Sequence, residues 1–96
     1  MLERDFQALL IKEIKAMLPG ALVLKNDPDY IQGIPDLLIL YKEKWGALEV
    51  KKNSAARHQP NQDYYVKHMD ELSFARFVCP ENKKEVLDEL YRSLKS

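Results

Sequence analysis

Apolar side chains recur at three- and four-residue spacing over residues 3–18 (Phe6, Leu9, Leu10, Ile14, Met17, Leu18). That is the period of a helix with one buried face, and Pro19-Gly20 ends the run. Ala21 to Lys25 then reads as a short strand, broken by Asn26-Asp27-Pro28-Asp29, with a loop continuing through Gly33 and Pro35. Leu37-Leu38-Ile39-Leu40-Tyr41 is apolar on both faces, the mark of a central strand. A polar turn at Lys42-Glu43-Lys44 leads into a strand at Ala47-Leu48-Glu49-Val50-Lys51, and the pair predicts a hairpin. Residues 52–60 are polar and irregular. Pro60-Asn61-Gln62 opens a second helix carrying Tyr64, Tyr65, His68, Met69 and Leu72. Phe74 to Cys79 forms another short strand, closed by Pro80. Asn82 with Glu85 three residues on resembles a capping box, and the last helix presents Val86, Leu87, Leu90, Tyr91 and Leu94 on one face.

The predicted order is αβββαβα, an α/β chain with a mixed central sheet flanked by helices. A single helical crossover from the third strand to the fourth suits parallel pairing there. Ninety-six residues suit one domain with one core. Cys79 is the only cysteine, so no internal disulfide forms. Met1 leads straight into Leu2-Glu3-Arg4-Asp5, unlike a secretory signal, and no apolar run approaches a membrane span. The expectation is a soluble cytoplasmic protein without a membrane partner or an organic cofactor. Fifteen basic and 15 acidic side chains balance. A protein holding nucleic acid by charge alone would carry a basic excess. Metal-binding carboxylates subtract from the total, however, and a local basic surface is compatible with neutrality overall.

The oddity is charge on otherwise apolar strands. Asp36 opens the run at 37–41, and Glu49 interrupts the one at 47–50. Strand residues two apart share a face, so Glu49 and Lys51 point one way and Val50 the other. With an even-length turn, Asp36 falls opposite the neighbourhood of Glu49 and Lys51. Burying unpaired carboxylates costs several kcal/mol or more, and a divalent cation resolves that cost. Mg²⁺ takes one or two carboxylates and completes its shell with water and phosphate oxygens. Asp36 and Glu49 supply the carboxylates, the Val50 carbonyl is a candidate third oxygen, and Lys51 is left for the attacking water or the phosphate.

Gly33-Ile34-Pro35-Asp36 followed by Glu49-Val50-Lys51 resembles the PD-(D/E)xK nuclease signature. Gln62, at the start of the next helix, resembles the glutamine that follows this motif in the VRR-NUC branch, with Gln59 as the second choice. The compact arrangement is similar to the stand-alone phage and bacterial members. The resemblance implies a restriction-endonuclease-like fold and Mg²⁺- or Mn²⁺-dependent hydrolysis of DNA phosphodiesters by a metal-activated water. It implies Asp36 and Glu49 as metal ligands, with Asp36, Glu49, Lys51 and Gln62 as the catalytic set. Lys51 would act as a charged stabiliser of the transition state or, secondarily, as a general base, because a lysine of ordinary basicity is a poor base at neutral pH. It also implies a further acid on the first helix, Glu3 or alternatively Glu13. Branched substrates such as Holliday junctions, a homodimer, and the cytoplasm of a bacterium or phage-infected cell follow from the same resemblance. A two-fold pair of single-site domains is also the simplest way to cut two strands symmetrically.

The rival readings are a repair or restriction-type nuclease on ordinary duplex, and a non-catalytic DNA-binding or assembly subunit. For Asp36, Glu49 and Lys51 the plain alternative is a structural ion pair at a strand end. Lys52 and Arg57 are candidate DNA contacts; Lys42, Lys44, His58 and Lys25 are weaker ones, since polar turns are commonly just solvated. Tyr64 and Tyr65 could stack on bases, although an amphipathic helix suggests that one of them is core. His58 and His68 lack metal-ligand spacing, and Cys79 reads as a buried strand residue. Trp45 is expected partly exposed at the hairpin tip, as a subunit contact, a DNA wedge or simple packing.

Overall fold

A computed structural model describes residues 1–96. It places α1 at Glu3–Met17, β1 at Leu22–Lys25, β2 at Leu37–Tyr41, β3 at Lys44–Val50, α2 at Pro60–Leu72, β4 at Ala75–Val78 and α3 at Lys83–Lys95. The expected element order is therefore present. The four strands form one open sheet in the order β1-β2-β3-β4. The β1/β2 and β2/β3 pairs are antiparallel, and β3/β4 is parallel, with α2 as the crossover between them. No helix is long and apolar enough to cross a membrane.

The period-2 geometry of the strands sorts their side chains onto two faces. Leu37, Ile39 and Tyr41 of β2 join Leu48 and Val50 of β3 and Val78 of β4 on the inner face. Phe6, Leu10, Ile14 and Leu18 of the α1 region cover them, together with Val86, Leu87, Leu90 and Leu94 of α3. Gly46 permits this closeness: a Cβ there would stand 2.7 Å from a Leu90 methyl. On the outer face Ala47 and Ala75 are register partners. Their small side chains let α2 settle through Val66, flanked by Trp45, Met69 and Phe77.

Three local expectations are corrected. The hairpin loop is Lys42-Glu43 alone, because Lys44 already pairs with Tyr41. Lys42 takes φ 56°, the left-handed conformation that a two-residue hairpin demands of its first loop position. Trp45 accordingly lies within β3 opposite Leu40, half-buried, and not at the tip. Finally, Asn82 makes no side-chain cap on α3. Its Oδ1 accepts the Cys79 N–H (2.8 Å) and its Nδ2 donates to the Phe77 carbonyl (3.2 Å), so it closes the exit of β4. A reciprocal capping box does form, at α2 between Gln59 and Gln62.

Candidate active site

The hairpin register fixes the first two acids. Leu37 pairs with Leu48, so one step further out Asp36 stands opposite Glu49. There the backbone ladder gives way to a side chain: the Val50 N–H donates to Asp36 Oδ2 (2.9 Å). Asn26 holds Asp36 from behind. Its N–H donates to the Asp36 carbonyl (2.9 Å) and its Nδ2 to the Pro35 carbonyl (2.8 Å), cinching both ends of the 26–35 loop. The sequence reading missed Asn26. The signal available was an amide side chain at the strand exit ahead of a Pro- and Gly-bearing loop.

Glu49 is 4% exposed and Lys51 9%, the only charged residues buried in the protein. Their shared face turns toward the start of α2, which brings in Gln62. Its Oε1 accepts from Lys51 Nζ (2.7 Å) and from the Gln59 N–H (3.0 Å), while its Nε2 donates to Glu49 Oε2 (2.9 Å). Lys51 Nζ also donates to the Arg57 carbonyl (3.1 Å) and lies 3.8 Å from Glu49 Oε2. Of the two glutamines, Gln62 is therefore the one at the acids, and Gln59 is the helix cap. Gly33 keeps this helix start in place. Its φ is +89°, and a Cβ there would come within 2.7 Å of Asn61, so the backbone itself lies against the first turn of α2.

Electrostatically the site is short of positive charge. Burial first, and then the Asp36 charge, push the Glu49 carboxyl up to about 8 against the pull of Lys51. Burial likewise raises Asp36, opposed by the Val50 hydrogen bond and by Lys51. Two acids side by side with one lysine do not both ionise readily. No group of three or more His, Cys, Asp or Glu side chains is placed to hold a metal ion, so any cation here would have only the Asp36 and Glu49 carboxylates among such groups. Two hard oxygen donors in a half-dry site suit Mg²⁺ or Mn²⁺, which fill their remaining positions with water and phosphate oxygens. The Val50 main chain lies at the same spot.

The other candidates separate cleanly. Glu3 is near enough to Glu49 to raise its pKa slightly, whereas Glu13 is bonded to Lys83 of α3 (2.7 Å). Lys52 and Arg57 are exposed on the loop beside Lys51. Lys42 and Lys44 are at the hairpin tip, the opposite end of the strands from Asp36 and Glu49, and Lys44 donates to the Ser96 carbonyl. They line no track beside the site. Lys25 is exposed at the end of β1. Tyr64 is exposed and Tyr65 half-buried, with the rings edge-on at 5.0 Å. Cys79 is buried, as expected. His58 stacks on Phe77, and His68 lies beside Tyr64 and Glu71. No protein-family profile matches the chain, and no curated protein matches it.

Proposed function

We propose that this protein is a metal-dependent endodeoxyribonuclease of the VRR-NUC type with a restriction-endonuclease-like fold. The observation that carries the reading is the pairing of Asp36 with buried Glu49, whose carboxyl is pushed up to about 8 beside a single lysine. A divalent cation held there would supply positive charge beside the two acids and Lewis acidity for activating water and stabilising the phosphoryl oxygens. Asp36 and Glu49, with the Val50 carbonyl, would hold it. Gln62 fixes the Glu49 carboxylate and the Lys51 ammonium relative to each other, so that both enter the reaction already oriented. Lys51 then presents positive charge to the scissile phosphate or the attacking water. Lys52 and Arg57, exposed beside it, would meet the flanking DNA backbone.

We further propose a homodimer acting on branched DNA such as four-way junctions. The outer face of the sheet supports a second copy. α2 covers its β3–β4 half, while Leu22 (60% exposed), Leu24 and Leu72 project around an open hollow of about 380 Å³ lined by Leu38, Leu40, Trp45, Met69 and Leu72. Protruding leucines beside an apolar hollow on one patch are self-complementary under a two-fold axis. β1 adds a free strand edge. Leu24→Lys is expected to convert a dimer to monomer in sedimentation at micromolar concentration; wild type that sediments only as monomer would remove the dimer.

The reaction is tested with wild type, Lys51→Ala and Asp36→Ala on labelled linear, flapped and four-way-junction DNA, with Mg²⁺, Mn²⁺ or EDTA. Metal-dependent cutting lost in both variants supports the nuclease. Equal cutting of linear duplex and junctions would shift the reading to a duplex repair or restriction enzyme. Binding without cutting on every substrate would leave a non-catalytic DNA-binding subunit.

A further inference from the structure

Residues 52–59 arch from the end of β3 to the start of α2 over a cavity of about 170 Å³, lined by Lys51, His58, Phe77 and Cys79 among others. A segment with a hollow beneath it is held by its attachments, and besides the main-chain bonds of Arg57 and Gln59 these are two sets of side-chain contacts. At the far end Ser54 donates its N–H (3.1 Å) and Oγ–H (3.0 Å) to Glu81 Oε2. At the near end the His58 ring lies flat on Phe77, with centroids 3.8 Å apart and planes 11° apart. Its Nδ1 is 3.1 Å from Asp63 Oδ1. A carboxylate only accepts, so in this pair the His58 Nδ1 is the donor.

Each neighbour of His58 gives a main-chain group to the site. The Arg57 carbonyl takes a hydrogen bond from Lys51 Nζ (3.1 Å), and the Gln59 N–H donates to Gln62 Oε1 (3.0 Å). Phe77, under the ring, is the register partner of Glu49 on the adjoining strand. The stack therefore ties the loop to the same piece of sheet that carries Glu49. We propose that His58 is a positioning residue whose ring, seated on Phe77, sets the Arg57–Gln59 backbone that aims Lys51 and Gln62. Its predicted effect on cleavage rests on the nuclease reading above; its effect on Lys51 does not.

Two readouts separate these. Lysine Cε–Nζ NMR signals, with Lys51 assigned by Lys51→Arg, report how the ammonium is held whether or not DNA is cut. Steady-state cleavage of the best DNA substrate with Mg²⁺ reports kcat and KM. His58→Ala is expected to collapse the Lys51 signal toward that of solvent-exposed lysines and to lower kcat on the order of 10- to 100-fold, with KM within about twofold, as for a misplaced reacting group. His58→Phe keeps a flat ring on Phe77 and is expected to restore the signal and most of kcat. An unchanged Lys51 signal in His58→Ala overturns the proposal, as does a His58→Phe protein as impaired as the alanine variant. A Lys51 signal that collapses in His58→Ala and returns in His58→Phe, in a protein that cuts no DNA at all, upholds the positioning role and removes the nuclease.

Discussion

Two places on the sheet each combine two carboxylates with one cationic side chain, yet they solve the charge problem differently. On β4, Arg76 reaches Asp70 of α2 (2.5 Å) and Glu89 of α3 (3.3 Å), and all three are partly exposed. One planar guanidinium with several donors satisfies both acids, and water screens what is left. At Asp36, Glu49 and Lys51 the cation is a lysine whose hydrogen bonds go to Gln62 and to the Arg57 carbonyl. Its nearest approach to Glu49 is 3.8 Å, with both side chains almost dry. The first group is complete as it stands. The second is less complete: its acids are adjacent, burial raises both carboxyls, and an amide rather than the lysine is bonded to Glu49. Crowding two acids inside a protein costs stability, and on the proposed reading a bound divalent cation would offset that cost.

The widest separation between the two groups should appear in activity. If the proposed nuclease reading holds, Glu49→Gln or Asp36→Asn takes away a proposed metal ligand and is expected to lower cleavage by about 10³-fold, roughly 4 kcal/mol of barrier at 1.36 kcal/mol per tenfold. Asp70→Asn and Glu89→Gln are expected to stay within about twofold in the same assay. If both groups respond alike, the contrast is gone.

Next in size is a pH effect on stability. The Glu49 carboxyl is raised from 4.5 to about 8 on folding, so the folded state binds its proton more tightly than the unfolded chain. Its contribution is fully present below about pH 4.5 and is lost as pH rises through about 8. In EDTA, urea unfolding is expected to show a decline on the order of a few kcal/mol across that window, at about 1.4 kcal/mol per pKa unit. Mg²⁺ should flatten the curve by favouring the ionised form, and Glu49→Gln should flatten it without metal. A steep decline that survives in Glu49→Gln would locate its source elsewhere.

Smaller effects sharpen the contrast further. Arg76→Ala is expected to cost about 1 kcal/mol in urea unfolding, less at high salt, as half-exposed ion pairs do. Smallest is Glu3→Gln, which should move the pH midpoint assigned to Glu49 slightly downward, because Glu3 is the weakest of the influences raising it. Glu13→Gln should leave that midpoint in place, since Glu13 is engaged with Lys83 across the α1–α3 contact.

Strand periodicity carried much of the site in advance. Glu49 and Lys51 had to share a face, and an even hairpin loop had to bring Asp36 opposite, because side-chain direction alternates with a period of 2. The same local rules placed α1, α3, the hairpin and the parallel crossover. They failed where the deciding contact was distant in sequence. Asn82 has the spacing of a cap, but its amide is claimed by Phe77 and Cys79 at the strand exit. The polarity of Lys42-Glu43-Lys44 suggests a longer turn with Trp45 at its tip, and only the pairing of Lys44 with Tyr41 draws Trp45 into the strand.

Chain order and hydropathy were thus sufficient for the elements, for the antiparallel β2–β3 and parallel β3–β4 pairings and for the company of Asp36, Glu49 and Lys51, whereas the antiparallel β1–β2 pairing came only from the tertiary structure. Packing in three dimensions decided that Gln62 joins the acids while Gln59 caps a helix. It also turned Glu13 away toward Lys83, set the Arg57 carbonyl on Lys51, and left half of one sheet face uncovered. Those outcomes turn on which surfaces meet once the helices have settled on the sheet, and local periodicity holds no information about that meeting.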